Sequence, residues 1–448
     1  MSNAIALQND FDQMKYFSLF ISSIFLCFCV TTLKVDAVDN SNLETNSDLG
    51  CDWWDSADNA DKDRQEAEKA CILGVIALGE KKWQRTKTYL DRAIQADFNH
   101  PESYLLRGTV YLKLQQPEKA IADLNRVVEI APDYIESYQT RAIYYISQKQ
   151  WQKALADFNR IVEIEPNDAD SYNTRSVYYM VRKEYDKALA DWERAIEVEP
   201  NRTGAYLQRA NYYISQRQWN KALADYAKAI EIDNSESAVY SNRSSVYMEL
   251  QQWDKALADI NRAIELNPNS ISAYFNRSAV HIETEQWDKA AVDLQKAIEL
   301  DPKLADAYLL QGYVNHHKNN YSAAVSSYQQ AVSLYKDSSK SSADLAKSFN
   351  NIGLIKYEMN ATDEAIQNFK LALKHDSKLI ESKFAIATVL YAEGKIDRAL
   401  ELAKQSLMSD RKYADLEYLK KQLWGEKMTD KAKKMLSDSA LNEFTSIL

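Results

Sequence analysis

One short segment recurs along this chain at multiples of 34 residues, and this recurrence constrains the fold more than any other feature. Residues 151–157 return, with substitutions, at 219–225, 253–259 and 287–293. Aligning the chain with itself extends the repeat from residue 67 to residue 413. Such self-similarity predicts units that pack on their neighbours in a row, so that no single large core is required. The repeats begin at residues 67, 101, 135, 169, 203, 237, 271, 305, 346 and 380.

Each repeat predicts two amphipathic helices. The first carries an aromatic residue at its fourth position, such as Tyr138, followed four residues later by a small one, such as Ala142. The second carries Ala at position 20, such as Ala154, followed four residues later by a bulky one, such as Phe158. Residues four apart share a helix face, so a large side chain repeatedly meets a gap beside a small one. Proline, as at Pro166, follows the second helix and prevents its continuation.

This pattern resembles the tetratricopeptide repeat family over about three quarters of the chain. The resemblance implies an all-α fold, a right-handed superhelical solenoid of about ten helix–turn–helix repeats whose first helices line a concave groove. Residues 67–413 form the predicted solenoid. Residues 414–448, which include Leu416, Leu419, Leu423 and Trp424, are predicted to form a C-terminal capping helix and tail.

Arginine and aspartate occur together in six repeats. Each of these repeats has Arg at position 7 and Asp at position 23, and no repeat has only one of the two. A charge directed at the partner helix needs a counter-charge, because burying it alone costs several kcal/mol. We therefore predict six internal ion pairs; copying by duplication without contact is the alternative, and a ligand-gripping role is less favoured. The predicted pairs are Arg107 with Asp123, Arg141 with Asp157, Arg175 with Asp191, Arg209 with Asp225, Arg243 with Asp259, and Arg277 with Asp293.

The amino-terminal residues predict export. Residues 16–33 are an apolar run that follows Lys15, and Ala37 ends a segment with the spacing of a signal-peptidase site. Residues 1–37 are expected to be a cleaved signal peptide or an uncleaved membrane anchor, and residues 38–66 an acidic linker. The protein would then work in a periplasm, a lumen or outside the cell. Cys51 and Cys71 are expected to form a disulfide there, with two unpaired thiols as the alternative.

Catalytic motifs are not found in the sequence. It contains no phosphate-binding Gly loop, no nucleophile elbow and no His-Glu-x-x-His, so we expect no enzyme and no cofactor. The net charge of -10 is dispersed and no basic stripe forms, which argues against nucleic acid. The alternative function is metal delivery or storage at a row of groove residues. That row consists of Glu283, His316, His317 and Glu358.

The predicted function is a protein-binding scaffold, which could assist in assembly of a membrane or exported complex. Positions 2, 5, 6, 9, 12 and 13 of the first helices share the face opposite the position-four aromatic residue and should line the groove. Apolar and amide residues there favour a protein or peptide with apolar anchors and a basic end. The alternative is that this face is merely half-buried between repeats. The predicted groove residues are Ile143, Ile146, Asn173, Val177, Met180, Asn211, Ile214, Asn242, Met248, Asn276 and Ile282.

Overall fold

The computed structural model describes residues 59–336 and 342–445, and all of its regular elements are helical. The chain divides into two compact units at Asp233 and Asn234, and each is described by itself. The N-terminal unit contains α1 (Asn59–Gly79), α2 (Trp83–Ala96), α3 (Pro101–Lys113), α4 (Pro117–Ile130), α5 (Ile135–Ser147), α6 (Trp151–Ile164), α7 (Ala169–Val181), α8 (Tyr185–Val198), α9 (Thr203–Ser215) and α10 (Trp219–Ile232).

The C-terminal unit continues the same order of helices and then adds shorter ones. It contains α11 (Ser237–Glu249), α12 (Trp253–Leu266), α13 (Ile271–Glu283), α14 (Trp287–Leu300), α15 (Ala305–His317), α16 (Tyr321–Lys336), α17 (Ser342–Glu358), α18 (Thr362–His375), α19 (Ile380–Ala392), α20 (Ile396–Ser409), a 3₁₀ turn (Arg411–Ala414), α21 (Leu416–Lys421), α22 (Glu426–Leu436), a second 3₁₀ turn (Ser439–Leu441) and α23 (Asn442–Thr445).

In both units each first helix packs most extensively on the second helix that follows it. Eight of the first helices begin at the residue where the sequence repeat begins, among them α5, α7 and α9. Two begin earlier. Helix α1 starts at Asn59, inside the segment predicted to be an acidic linker, and α17 starts at Ser342.

The turn between the two helices of a repeat needs a left-handed residue. In repeat four this is Lys183, with a φ of 58°. Its N–H donates to the carbonyl of Met180 at 3.0 Å, and the N–H of Glu184 donates to that of Tyr179 at 2.9 Å. These two bonds form a Schellman motif, which satisfies carbonyls left free at the helix end. Eight other repeats also place a non-glycine residue at this position, and only the last uses glycine, Gly394.

The large-beside-small pattern describes the packing inside each repeat. A Cβ atom built on Gly353 would lie 2.6 Å from Cε1 of Phe369, which is fully buried. A Cβ on Gly312 would lie equally close to Cδ1 of Tyr328. Position 8 therefore stays small because the bulky residue of the second helix fills the space beside it.

The recurrent tyrosines have a polar role that helix packing alone did not predict. The hydroxyl of Tyr138 donates to the carbonyl of Pro132 at 2.9 Å, and that of Tyr172 to the carbonyl of Pro166 at 3.0 Å. Each proline lies two residues beyond the end of the preceding second helix, so its carbonyl has no helical partner. Each tyrosine thus joins the start of one repeat to the end of the repeat before it.

All six predicted Arg–Asp pairs are present. In each, Nε and Nη2 of the arginine donate to the two carboxylate oxygens of the aspartate, at 2.6 to 3.0 Å. The aspartates are buried and the arginines half-buried. Burial raises the pKa of Asp191 and Arg175 only partly offsets this, whereas the hydrogen bond to Asp191 raises the pKa of Arg175. Burying the two charges therefore costs free energy. Removing one partner would raise that cost, because the other charge would stay buried without a counter-charge.

Four of these arginines also reach the preceding repeat. Nη1 of Arg175 donates to Oδ1 of Asn159 at 3.1 Å, and Nη1 of Arg141 to Oδ1 of Asn125 at 2.7 Å. Arg107 and Arg277 make the same contact with Asp91 and Asn261. One guanidinium thus connects a first helix with the second helices on either side of it.

The C-terminal residues differ from the single capping helix that the sequence predicts. The 3₁₀ turn Arg411–Ala414 packs on α20, but α22 packs on α19 and α17, the first helices of the last two repeats. The chain therefore turns back over those repeats. The physical reason is the large apolar surface of α19, whose residues Phe384 and Val389 are fully buried with the tail in place.

Several N-terminal predictions cannot be followed in the structure. Residues 1–37 and Cys51 lie outside the described residues, so the signal peptide and the disulfide stay predictions. Cys71 is buried, and burial raises the pKa of its thiol to about 11 when it is unpaired. Among the residues that the structure describes, none of the helices is both long and apolar enough to span a membrane.

Candidate protein-binding surface

The first-helix face is defined here as the side of the first helices that points away from their second helices. In the N-terminal unit it is formed by α5, α7 and α9. Ile143, Val177 and Ile214 are half-buried on these helices, and Asn211 is exposed. Val181, which the sequence analysis missed, is 38% exposed at the last position of α7. The sequence could have indicated this residue, because position 13 of the repeat was predicted to lie on this face.

Part of the apolar line at position 12 is not a free surface, and for three of its five predicted residues the prediction is wrong, whereas Met180 and Ile214 are half-buried. Ile146, Met248 and Ile282 are buried. Ile146 belongs to a core cluster that includes Tyr172 of the following repeat, and Met180 packs against the same cluster. The physical reason, seen at Ile146, is that the side chain enters the crevice between two repeats instead of facing outward. Ile143 and Val177 at position 9 and Val181 at position 13 keep part of their surface accessible.

Asn173 on α7 is a buried amide without a full set of partners. Its Oδ1 has no hydrogen-bond donor. Its Nδ2 lies 3.4 Å from where a Cβ of Gly204 would stand, so this glycine leaves room beside the amide. An unsatisfied buried acceptor costs about 1–3 kcal/mol. The unpaired acceptor therefore lies beneath the surface of α7, where it weakens the packing of this repeat.

The other predicted amides are placed differently. Oδ1 of Asn211 accepts a hydrogen bond from the hydroxyl of Tyr226 at 2.5 Å. In the C-terminal unit, Asn242 and Asn276 are half-buried on α11 and α13. Only Asn173 combines burial with an unpaired acceptor among the predicted amides. The amides therefore do not form the uniform row that the sequence suggested.

The residues of the predicted metal row do not come together, so that prediction is wrong. The described residues contain no group of three or more His, Cys, Asp or Glu side chains placed to hold a metal ion. His317 stacks on Trp287, with ring centres 4.2 Å apart, and His316 is buried edge-on to Tyr321. Glu283 is exposed.

Burial favours the neutral form of these histidines. It lowers the pKa of His316 to about 4 and lowers that of His317 as well. Nδ1 of His316 and Nε2 of His317 have no hydrogen-bond partner. Glu358, the last member of the row, binds the tail: its carboxylate accepts from the backbone N–H groups of Lys427 and Met428. Packing, rather than metal ligation, therefore occupies these side chains.

The first-helix face of the last two repeats is covered by the tail. Nε1 of Trp424 donates to Oε1 of Glu381 at 3.3 Å. Glu381 keeps part of its surface exposed, yet burial of its carboxyl group raises its pKa to about 7. Hydrogen bonds from Asn350 and Trp424 lower the pKa but offset only part of this rise. Burial of the charged form is the larger effect. This carboxyl group titrates near neutral pH.

Comparison with known families decides the identity of the repeat. Models described as "Tetratricopeptide repeat" match residues 101–134, 169–202, 207–271, 244–315, 305–338 and 346–378, together just over half of the chain. The chain belongs to the tetratricopeptide repeat family. The all-α fold of tetratricopeptide-type helix pairs that the sequence predicts is thereby confirmed. No curated protein matches the chain.

Several solved tetratricopeptide repeat structures are similar. YrrB, described as having an unusual peptide-binding site, is 25% identical, with 40% of this chain and 93% of that chain covered and a TM-score of 0.36. The C-terminal part of a repeat-containing protein from Cytophaga hutchinsonii is 17% identical, with 55% and 97% covered and a TM-score of 0.46. Yeast Tom70 is 15% identical, with 86% and 99% covered and a TM-score of 0.38.

Proposed function

We propose that this protein is a non-catalytic scaffold that binds partner proteins on the first-helix face of its N-terminal unit. Membership in the tetratricopeptide repeat family supports a role in protein–protein interaction. The observation that carries the proposal is the apolar surface of Ile143, Val177 and Val181 on the first-helix face, where Val181 is 38% exposed. Apolar anchors of a partner would bury against these three aliphatic residues.

The first-helix face of the C-terminal unit, taken by itself, favours a basic segment in a partner. Glu249 and Glu283 are exposed there, at the last position of α11 and α13. Glu358, at the corresponding position of α17, is bound by the tail. Exposed carboxylates favour a partner with Lys or Arg mainly through association rate and specificity.

The test is partner capture by the full chain carrying Val177→Glu and Val181→Glu. Two carboxylates on the proposed surface should abolish capture, because each would have to be desolvated against an apolar anchor. The matched control is Ala190→Glu, at an exposed position on α8, the second helix of the same repeat. Circular dichroism checks that all three proteins are equally helical. Equal capture by wild type and the double variant would contradict the proposal.

We also propose that the protein is exported and that it works outside the cytoplasm. The apolar run of residues 16–33, followed by acidic residues, supports this. The test is fractionation of cells that express the full chain, followed by amino-terminal sequencing of the product. A chain that starts after Ala37 in the exported fraction is expected. An intact chain in the cytoplasmic fraction would contradict export.

A further inference from the structure

The tail does not occupy the place of an eleventh repeat. A first helix in this fold packs on the second helix before it, as α7 packs on α6. Helix α22 instead packs on α19 and, to a smaller extent, on α17. Both are first helices, and the contacted residues Glu358 and Glu381 lie at groove positions 13 and 2 of their repeats. The tail therefore lies across the first-helix face, where a ligand of the repeats would lie.

The apolar contacts of the tail are those of an amphipathic helix in a groove. Met428 and Met435, two turns apart on α22, are fully buried, and Trp424 is nearly so. They share a core cluster with Leu354 of α17 and Phe384 of α19. Methionine side chains adapt to irregular surfaces, and anchors seven residues apart lie on one face of a helix.

The polar contacts fix the direction of the tail helix. The carboxylate of Glu358 accepts from the N–H of Met428 at 2.9 Å and from that of Lys427 at 3.3 Å, which places a negative charge at the amino terminus of α22. Nζ of Lys427 donates to the carbonyl of Tyr357 and to Oδ1 of Asn360, both at 2.9 Å. A Cβ on Gly425 would clash with Cδ of Glu358, so a side chain there would displace the carboxylate from the amino terminus of the helix.

We propose that the first-helix face of the last two repeats is a docking site for an amphipathic helix, which the chain's own residues 411–445 fill in cis. A partner for this site must displace the tail and make the same kinds of contact with the repeats. It presents an aromatic anchor, a small residue, a free helix amino terminus with a lysine, and two apolar anchors seven residues apart. The inference rests on the proposed function in taking this face of the repeats as the ligand-binding one.

The tail is tethered to the repeats that it covers. It follows α20 directly and ends the described chain at Thr445. Tethering gives the tail a high effective concentration at the site, in the millimolar range for short linkers. A free helix of equal intrinsic affinity therefore competes poorly until the tail is released.

The test uses a fluorescein-labelled synthetic peptide of residues 411–445 and two forms of the full chain. One is wild type and the other carries Trp424→Ala and Met428→Asp, which release the tail. The released form should bind the peptide with a dissociation constant at least about tenfold lower than wild type, because its site is empty. Adding Glu358→Ala to the released form should weaken binding about tenfold. A peptide with the same two tail substitutions should not bind.

Four outcomes would overturn the proposal. The first is equal binding of the peptide by wild type and the released form, and the second is no binding by the folded released form. The third is a released form in which α17 to α20 lose hydrogen-exchange protection that the peptide does not restore, which would make the tail an integral part of the core. A wild-type dimer in analytical ultracentrifugation, with the tail on a second copy, would contradict docking in cis. None of these readouts uses the partner captured through Val177 and Val181, so the proposed function can fail separately.

Discussion

The repeats of α5 to α10 and the last two repeats are built from the same kind of helix pair but are stabilised by different interactions. In the first group, Arg and Asp join the two helices of each repeat, as Arg175 and Asp191 do. In the last two repeats the same positions hold Ile352 with Asn368, and Ile386 with Leu402. The first group leaves its first-helix face open, whereas the last two repeats bury theirs under the tail.

The difference shows how a repeat protein can keep one surface free. Arg175 bonds to the second helix of its own repeat and to Asn159 of the preceding one, so these repeats are joined on the side away from the first-helix face. The last repeats lack these bonds and depend on an apolar cluster that includes Phe384 and Trp424. That cluster is complete only with the tail in place.

The largest expected effect is the loss of one arginine. Arg175→Met leaves Asp191 buried without its counter-charge and removes the bond to Asn159, so the free energy of unfolding should fall by roughly 3–5 kcal/mol. Urea unfolding, with hydrogen exchange to localise the loss to α6, α7 and α8, measures this. Replacing both partners, as Arg175→Met with Asp191→Leu, should cost less than the single change. Additive costs for the two substitutions would show that the pair does not couple.

The second-largest effect is expected from Gly425→Ala, in the region that the tail covers. The added Cβ would meet the Glu358 carboxyl group at 2.4 Å and break its bonds to the amino terminus of α22. The expected loss is about 2–3 kcal/mol, confined to α17, α19 and α22 in hydrogen exchange. Gly79→Ala is the control, since a Cβ there meets nothing within 4 Å and should change stability by less than about 0.5 kcal/mol. Equal protection of α22 in Gly425→Ala and wild type would argue against the Glu358 contact.

Glu381 makes the stability of the covered region depend on pH. Its pKa is raised from 4.5 to about 7, so the charged carboxylate destabilises the fold above pH 7 and this cost disappears as the pH falls below 4.5. Glu381→Gln should therefore be more stable than wild type at pH 8, by at most about 2 kcal/mol because part of the side chain is exposed. Near pH 4.5 the two proteins should be equally stable. Comparison at each pH cancels the titration of His316, whose pKa is lowered to about 4.

The smallest expected effect concerns the turn within a repeat. Lys183 holds a φ of 58°, which strains a residue with a side chain. Lys183→Gly should raise stability by about 0.5–1 kcal/mol, and Gly394→Ala in the last repeat should lower it by about 1 kcal/mol. Thermal melts of both variants against wild type measure the difference. Opposite signs would mean that the turn residues are held by side-chain contacts instead.

The sequence predicts local features of this molecule better than its long-range contacts. The helix starts follow from the spacing of the repeat, and the ion pairs follow from residues that change together, such as Arg209 with Asp225. The burial of Ile146 was missed because a helical wheel treats one helix and omits the tilt of the next repeat. The return of Trp424 to Glu381 was missed because 43 residues separate them and no periodic pattern connects them.

The central claim is that the tail covers the first-helix face of the last two repeats. Oxidation of the methionines in the unmodified full chain by dilute peroxide, quantified by mass spectrometry, tests it most directly. Met408 and Met359, which are 76% and 47% exposed, should oxidise first, and Met428 and Met435 of α22 should stay protected until the protein unfolds. Oxidation of Met428 and Met435 at the rate of Met408 in the folded protein would contradict the account.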